Sequence, residues 1–129
     1  MKSYTNIEQS KKLAEILPIT TIDFAWNIFN DGSTRLLRMD DWEVFENAKS
    51  NAKIIPCWSL AALLEILDDE ITDEDENDYY LSIIKENLQY QLYYHDSWGQ
   101  VEDIETHFYE DMVDACYEMI LKLKEKNLL

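Results

Sequence analysis

The stretch IDFAWNIFNDGSTRLLR, residues 22–38, decides the fold. Ile22, Phe24, Trp26 and Ile28 recur at every second position, the spacing that sets side chains on one face of a strand. Asp31-Gly32 follows directly. Glycine accepts the positive φ that a tight turn demands and aspartate tolerates it, so residues 33–38 are expected to return as the antiparallel partner. A second pair of segments has the same character. Residues 79–84 and 88–94 are β-branched and aromatic, with Leu88, Tyr90, Leu92 and Tyr94 alternating against Gln89, Gln91 and Tyr93. They read as a hairpin turning at Lys85-Glu86-Asn87, with one long helix as the alternative.

Helical signals surround these hairpins. Thr5 stands three residues before Glu8 in a capping-box spacing, Leu13, Ala14 and Leu17 follow on one face, and Pro18 ends the segment. In IIPCWSLAALLEIL, residues 54–67, Pro56 suits a first helical turn and Leu60, Leu63, Leu64 and Leu67 form an apolar stripe. Near the other end Asp111 is placed to cap a helix carrying Met112, Ala115, Cys116, Met119, Ile120 and Leu123 at spacings of three and four. Lys122, Lys124 and Lys126 lie where the negative end of the helix dipole favours them. Residues 39–53 read as a connection with a helical turn within 42–48. The order helix, hairpin, helix, hairpin, helix predicts an α+β domain over residues 1–129, with about three helices on an antiparallel sheet of about four strands.

The charge is regional. Eight of the eleven residues in 68–78 are acidic, eight more acids lie in 96–118, and neither segment holds a Lys or Arg. The remaining acids equal the eleven basic residues, so these two segments account for the whole net charge of −16. Such a charge opposes binding to phosphate backbones, which depends on Lys and Arg displacing counterions, so direct nucleic-acid contact is not expected. At 47% apolar residues the chain is too rich in core material for a disordered polypeptide. No stretch approaches eighteen apolar residues, and none resembling a signal sequence follows Met1, so a soluble cytoplasmic protein without membrane contact is expected. Residues 68–78 are expected to form a solvated acidic loop.

Candidate chemistry meets specific obstacles. Asp73, Asp75 and Asn77 match the first, third and fifth ligands of an EF-hand loop, but Asp78 stands where its glycine belongs and Ile84 where its bidentate glutamate belongs. Cys57, His95, His107 and Cys116 lack the short ligand pairs of a zinc site, and the two cysteines form no CxxC. No nucleophile elbow, phosphate loop or HExxH is present. No cofactor, metal or catalytic residue is therefore expected.

Two segments, IPCWSLAALL (residues 55–64) and VDACYEMILKL (113–123), together with EQSKKLAEILPI (8–19), carry a resemblance. The chain resembles a family of small uncharacterised proteins from phage and prophage-like regions of gut bacteria of the Bacteroides type, in which similar CWSLAALL and DACxEM segments recur. Members usually have a shorter, less charged connection where residues 68–78 stand here, and often a proline where this chain has Met112. The resemblance implies a compact α+β domain, no established activity and no catalytic residues.

The expected role is non-enzymatic binding of another protein, with Asp69, Glu70, Asp73, Asp75, Tyr93 and Trp98 as candidate surface residues. The alternatives are an acidic inhibitor or nucleic-acid mimic that occupies a basic site on a DNA-binding protein, and a small hydrolase or ligand-binding domain. The mimic requires both acidic segments to share one surface.

Overall fold

A computed structural model of the chain describes residues 2–38 and 52–129. The helical turn expected within 42–48 lies outside the described residues. The described chain is α+β, with three helices and two antiparallel sheets. It divides into two compact units, Ser3–Ala62 and a second comprising Lys2 and Leu63–Leu129.

The first unit holds α1 (Ile7–Ala14), a 3-10 turn (Ile19–Thr21), and strands β1 (Phe24–Phe29), β2 (Thr34–Arg38) and β3 (Ala52–Cys57) in the order β2-β1-β3. The Asp31-Gly32 hairpin forms as expected. Gly32 takes φ 87°, the Phe29 amide donates to the Ser33 carbonyl, and the Asp31 carboxylate accepts the Ser33 amide and hydroxyl. Phe24, Trp26 and Ile28 share one face of β1, and the opposite face is the more deeply buried. Ala25 and Asn27 are the buried residues of β1, whereas Phe24, Trp26 and Ile28 are half-buried. Asn27 brings a polar group inside, and its Oδ1 has no hydrogen-bond partner among the described residues.

Residues 54–57, read as the start of a helix, belong instead to β3, which pairs Ile55 with Trp26 and Cys57 with Phe24. Pro56 is tolerated because β3 is an edge strand among the described residues, where a missing amide need not break a ladder. The cap of α1 also moves by one residue. Asn6 and Gln9 form the capping box, while Thr5 is fully buried and accepts the Trp58 amide at 3.2 Å through Oγ1. Ala14 is exposed, so only Leu13 and Leu17 of the predicted stripe are buried.

Helix α2 (Leu60–Ile66) begins after Ser59, whose Oγ accepts the Ala62 amide at 3.1 Å. Ser59 is itself held by Asp23, which accepts its amide and its hydroxyl.

The second unit contains β4 (Glu70–Thr72), β5 (Asp78–Glu86), β6 (Gln89–Asp96), β7 (Ile104–Glu105) and α3 (Met112–Glu125), with strand order β4-β5-β6-β7. The two predicted hairpins therefore lie in separate sheets, of three and four strands. Asn87 and Leu88 form the two-residue turn of the second hairpin, both at positive φ, so Leu88 is 80% exposed at its tip and leaves the buried row. Leu92 and Tyr94 of that row are fully buried, and α3 adds Val113, Ala115, Cys116, Met119, Ile120 and Leu123 to the core. Asp111 stands at the N-cap of α3 but makes no side-chain cap; its Oδ1 accepts the Lys2 amide. Residues 68–78 are not simply a loop, because β4 and the first residue of β5 lie within them. Among the described residues no helix is long and apolar enough to cross a membrane.

Candidate functional site

Two aspartates organise the acidic segments. In the β4–β5 turn the Asp73 carboxylate accepts the Asp75 and Asn77 amides at 2.9 Å each, the Asn77 side-chain amide at 3.1 Å and the Tyr79 hydroxyl at 3.1 Å. The hydrogen bond from the Asn77 amide is the main reason its carboxyl lies below the usual carboxylate range. Burial, followed by the Asp73 carboxylate, raises Tyr79 in turn. The best-matched EF-hand ligand is thus spent on holding its own turn. At the end of β6, Asp96 plays the same part. Its two oxygens accept the Trp98 amide at 3.1 Å and the Gln100 amide at 3.0 Å, and Gly99 completes the turn at φ 65°.

The strand register joins these turns. Tyr79 lies opposite Asp96, so the turn entering β5 and the turn leaving β6 emerge at one end of the sheet. The two segments line two clefts there. The larger, about 500 Å³, carries Asp73, Glu74 and Asp75 from the first segment and Glu102 and Asp103 from the second. Tyr79, Val101, Ile104 and Leu128 supply apolar surface, and Lys126 is its one basic lining residue. The smaller, about 140 Å³, is lined by Glu76, Asp78 and Asp96 together with Tyr80 and Trp98. Asp96, Glu102 and Asp103 of the second segment thus adjoin the first, whereas Glu110 follows Tyr109, which pairs with Tyr90 near the other end of β6, so only part of the second segment shares this surface.

Of the residues expected at an interaction surface, Asp73 and Asp75 line the larger cleft and Trp98 the smaller, where it is 83% exposed. Asp69 and Glu70 line neither. The Asp69 carbonyl accepts the Leu81 amide, and Glu70 lies in β4 opposite Tyr80. Tyr93 is half-buried within β6, its ring centroid 5.4 Å from that of His95. Glu102, Asp103, Asp78 and Tyr80 were missed, since only the strand register reveals that they converge.

The remaining candidates are dispersed. Cys57 is fully buried beside Thr5 and Ser10 in the first unit, and Cys116 is fully buried in α3 of the second. Burial raises both thiols, Cys116 to about 12. His107 pairs with Glu118, and His95 Nε2 lies 3.2 Å from Ser82 Oγ on the sheet face that also carries Tyr80 and Tyr93. This hydroxyl–imidazole pair carries no sequence signal, because Ser82 and His95 meet only through cross-strand pairing. Among the described residues no group of three or more His, Cys, Asp or Glu is placed to hold a metal ion.

Comparison with protein-family models, with curated proteins and with solved structures gives no match for this chain.

Proposed function

We propose that this is a non-enzymatic, cytoplasmic protein-interaction domain of phage or prophage-like origin whose partner presents a basic surface. The observation that carries the reading is the register of β5 and β6, which sets five carboxylates from two separate segments around one cleft. Carboxylates grouped within a Debye length, roughly 8–10 Å at physiological salt, reinforce one another's field and steer a cationic partner. Val101 and Leu128, half-buried at the rim of the cleft, add a small apolar contact, while Tyr79 and Ile104 are buried beneath it. The phage or prophage-like origin rests on the resemblance of the CWSLAALL and DACxEM segments.

A second reading is supported by the same convergence. An acidic inhibitor that imitates nucleic acid needs a continuous anionic surface, and Asp96, Glu102 and Asp103 adjoin the acids of the first segment.

Calorimetric titration with a twelve-residue peptide rich in Lys and Arg tests the first reading. Comparison of the native chain with the triple variant Asp75→Asn, Glu102→Gln, Asp103→Asn should show roughly tenfold or greater weakening, and binding that falls steeply with salt. Equal affinity of the two proteins, or no binding by either, overturns it. Displacement of duplex DNA from a basic DNA-binding protein by the native chain, and not by the variant, selects the mimic.

A further inference from the structure

We propose that Asp31-Gly32, in the turn of the β1–β2 hairpin, is a self-modification site: the Gly32 nitrogen closes on the Asp31 side chain to a cyclic imide that reopens as isoaspartate, and Ser33 is the latch that restrains it. The site belongs to the first unit and needs no partner.

The reaction balances with water alone. From the protonated carboxyl, the Gly32 nitrogen bonds to Asp31 Cγ, and the hydroxyl leaves with the amide proton as water. Water then adds back at either imide carbonyl. Cleavage of the bond to Cγ returns aspartate. Cleavage of the bond to the Asp31 main-chain carbonyl carbon leaves the chain running through Cβ and Cγ, one methylene longer, with the former main-chain carboxyl as the side group. Mass and charge are unchanged.

The sequence favours this one place. Of the two glycines, Gly99 follows Trp98, and only Gly32 follows an Asp or Asn. A side chain on the residue that supplies the nitrogen would crowd its approach; Gly32 has none, and nothing lies within 4 Å of the position a Cβ would take. Asp31, Gly32 and Ser33 are all exposed, so water has access.

Three hydrogen bonds oppose the reaction in the folded turn. Asp31 Oδ1 accepts the Ser33 amide at 2.9 Å and the Ser33 hydroxyl at 2.6 Å, and the Gly32 amide donates to the Phe29 carbonyl at 2.9 Å. To react, the nitrogen must leave Phe29 and the carboxylate must leave Ser33. The Ser33 hydroxyl, and then its amide, also hold the Asp31 carboxyl below its usual range, and the anion is the form that does not lose its oxygen as water. Opening of the hairpin removes all three restraints together. Once isoaspartate forms, the turn no longer has the length that pairs Ile28 with Thr34 and sets Leu37 opposite Ala25.

Mass spectrometry with electron-based fragmentation, which separates isoaspartate from aspartate at unchanged mass, decides the point after incubation at about 37 °C and about pH 5, where a fraction of the carboxyl is protonated. Isoaspartate should accumulate at residue 31 faster than at any other position. In the folded chain Ser33→Ala should raise the rate roughly fivefold, the equivalent of one lost hydrogen bond, and in concentrated urea the two chains should react alike. Asp31→Glu, which would need a larger ring, should stay unmodified over the same period. Circular dichroism should show the native fold in both variants, since both side chains are exposed. Absence of isoaspartate at residue 31 from the urea-unfolded chain overturns the site. Equal rates for the folded native and Ser33→Ala chains overturn the latch.

Discussion

Glu118 of α3 grips His107 twice: its Oε2 accepts the His107 backbone amide at 2.9 Å, and its Oε1 lies 2.7 Å from the ring Nδ1. Lys122 stands 3.9 Å from the same carboxylate. Through this contact α3 holds the segment that follows β7. Burial by itself raises the Glu118 carboxyl, but the hydrogen bonds from His107 and Tyr109 outweigh it and hold the group below its ordinary value of 4.5.

The sign of the pH dependence follows. A carboxyl lowered on folding contributes stability that is fully present above its unfolded value and is lost as pH falls through the lower, folded one. Glu118→Gln should therefore cost roughly 1 kcal/mol at pH 7, and the difference from the native chain should shrink below about pH 4. Urea denaturation at several pH values measures it. A difference that stays constant down to pH 2 would show that the carboxylate charge is not what matters.

Thr5→Val keeps the shape of a fully buried side chain and removes the hydroxyl that accepts the Trp58 amide and lies 2.7 Å from Ser10 Oγ. The stranded groups should cost about 1–3 kcal/mol in urea denaturation, with Thr5→Ser closer to the native chain. A neutral Thr5→Val would refute a structural role for this hydroxyl.

Leu88 sits at φ 62° with 80% of its surface exposed, a conformation that glycine adopts without its steric penalty. Leu88→Gly should raise the unfolding free energy by roughly 0.5–1 kcal/mol without changing the denaturant slope. A loss of stability would mean that the leucine side chain contributes more than the strained backbone costs.

Cys57 and Cys116 should both resist a thiol reagent at pH 8 in the folded protein and react as two equivalents once it is unfolded. The raised thiol values leave little thiolate, and burial denies access. Fast reaction of either in the native state would reopen nucleophilic chemistry.

Local signals were legible in the sequence. Gly32 needed only its own neighbours to announce a turn, and the stripe from Ala115 to Leu123 lies on one continuous helix. Strand β3 was hidden because its partner β1 ends 23 residues earlier and its run of apolar residues suits a buried helix equally well. The cap of α1 turned on one residue, Asn6 rather than Thr5, and burial of the threonine decides it. The clefts were hidden for a geometric reason. A turn at Lys85-Glu86-Asn87 pairs Ile84 with Leu88 and brings Asp96 level with Glu76, whereas the observed turn brings it level with Tyr79. An odd shift of register also exchanges the two faces of a strand, so acidic runs visible in the sequence could not be assigned to one surface.

The four-stranded sheet ends on β4 and β7, strands of three and two residues that both lie within the acidic segments. An unpaired strand edge is a template on which a further chain adds, the first step toward filaments. Here any such chain must bring a short edge up against carboxylates, and a second copy brings the same charge. The acids that could draw in a basic partner thus also discourage this protein from polymerising through its own sheet. Neutralising them for a binding experiment should make the variant more prone to precipitate at high concentration.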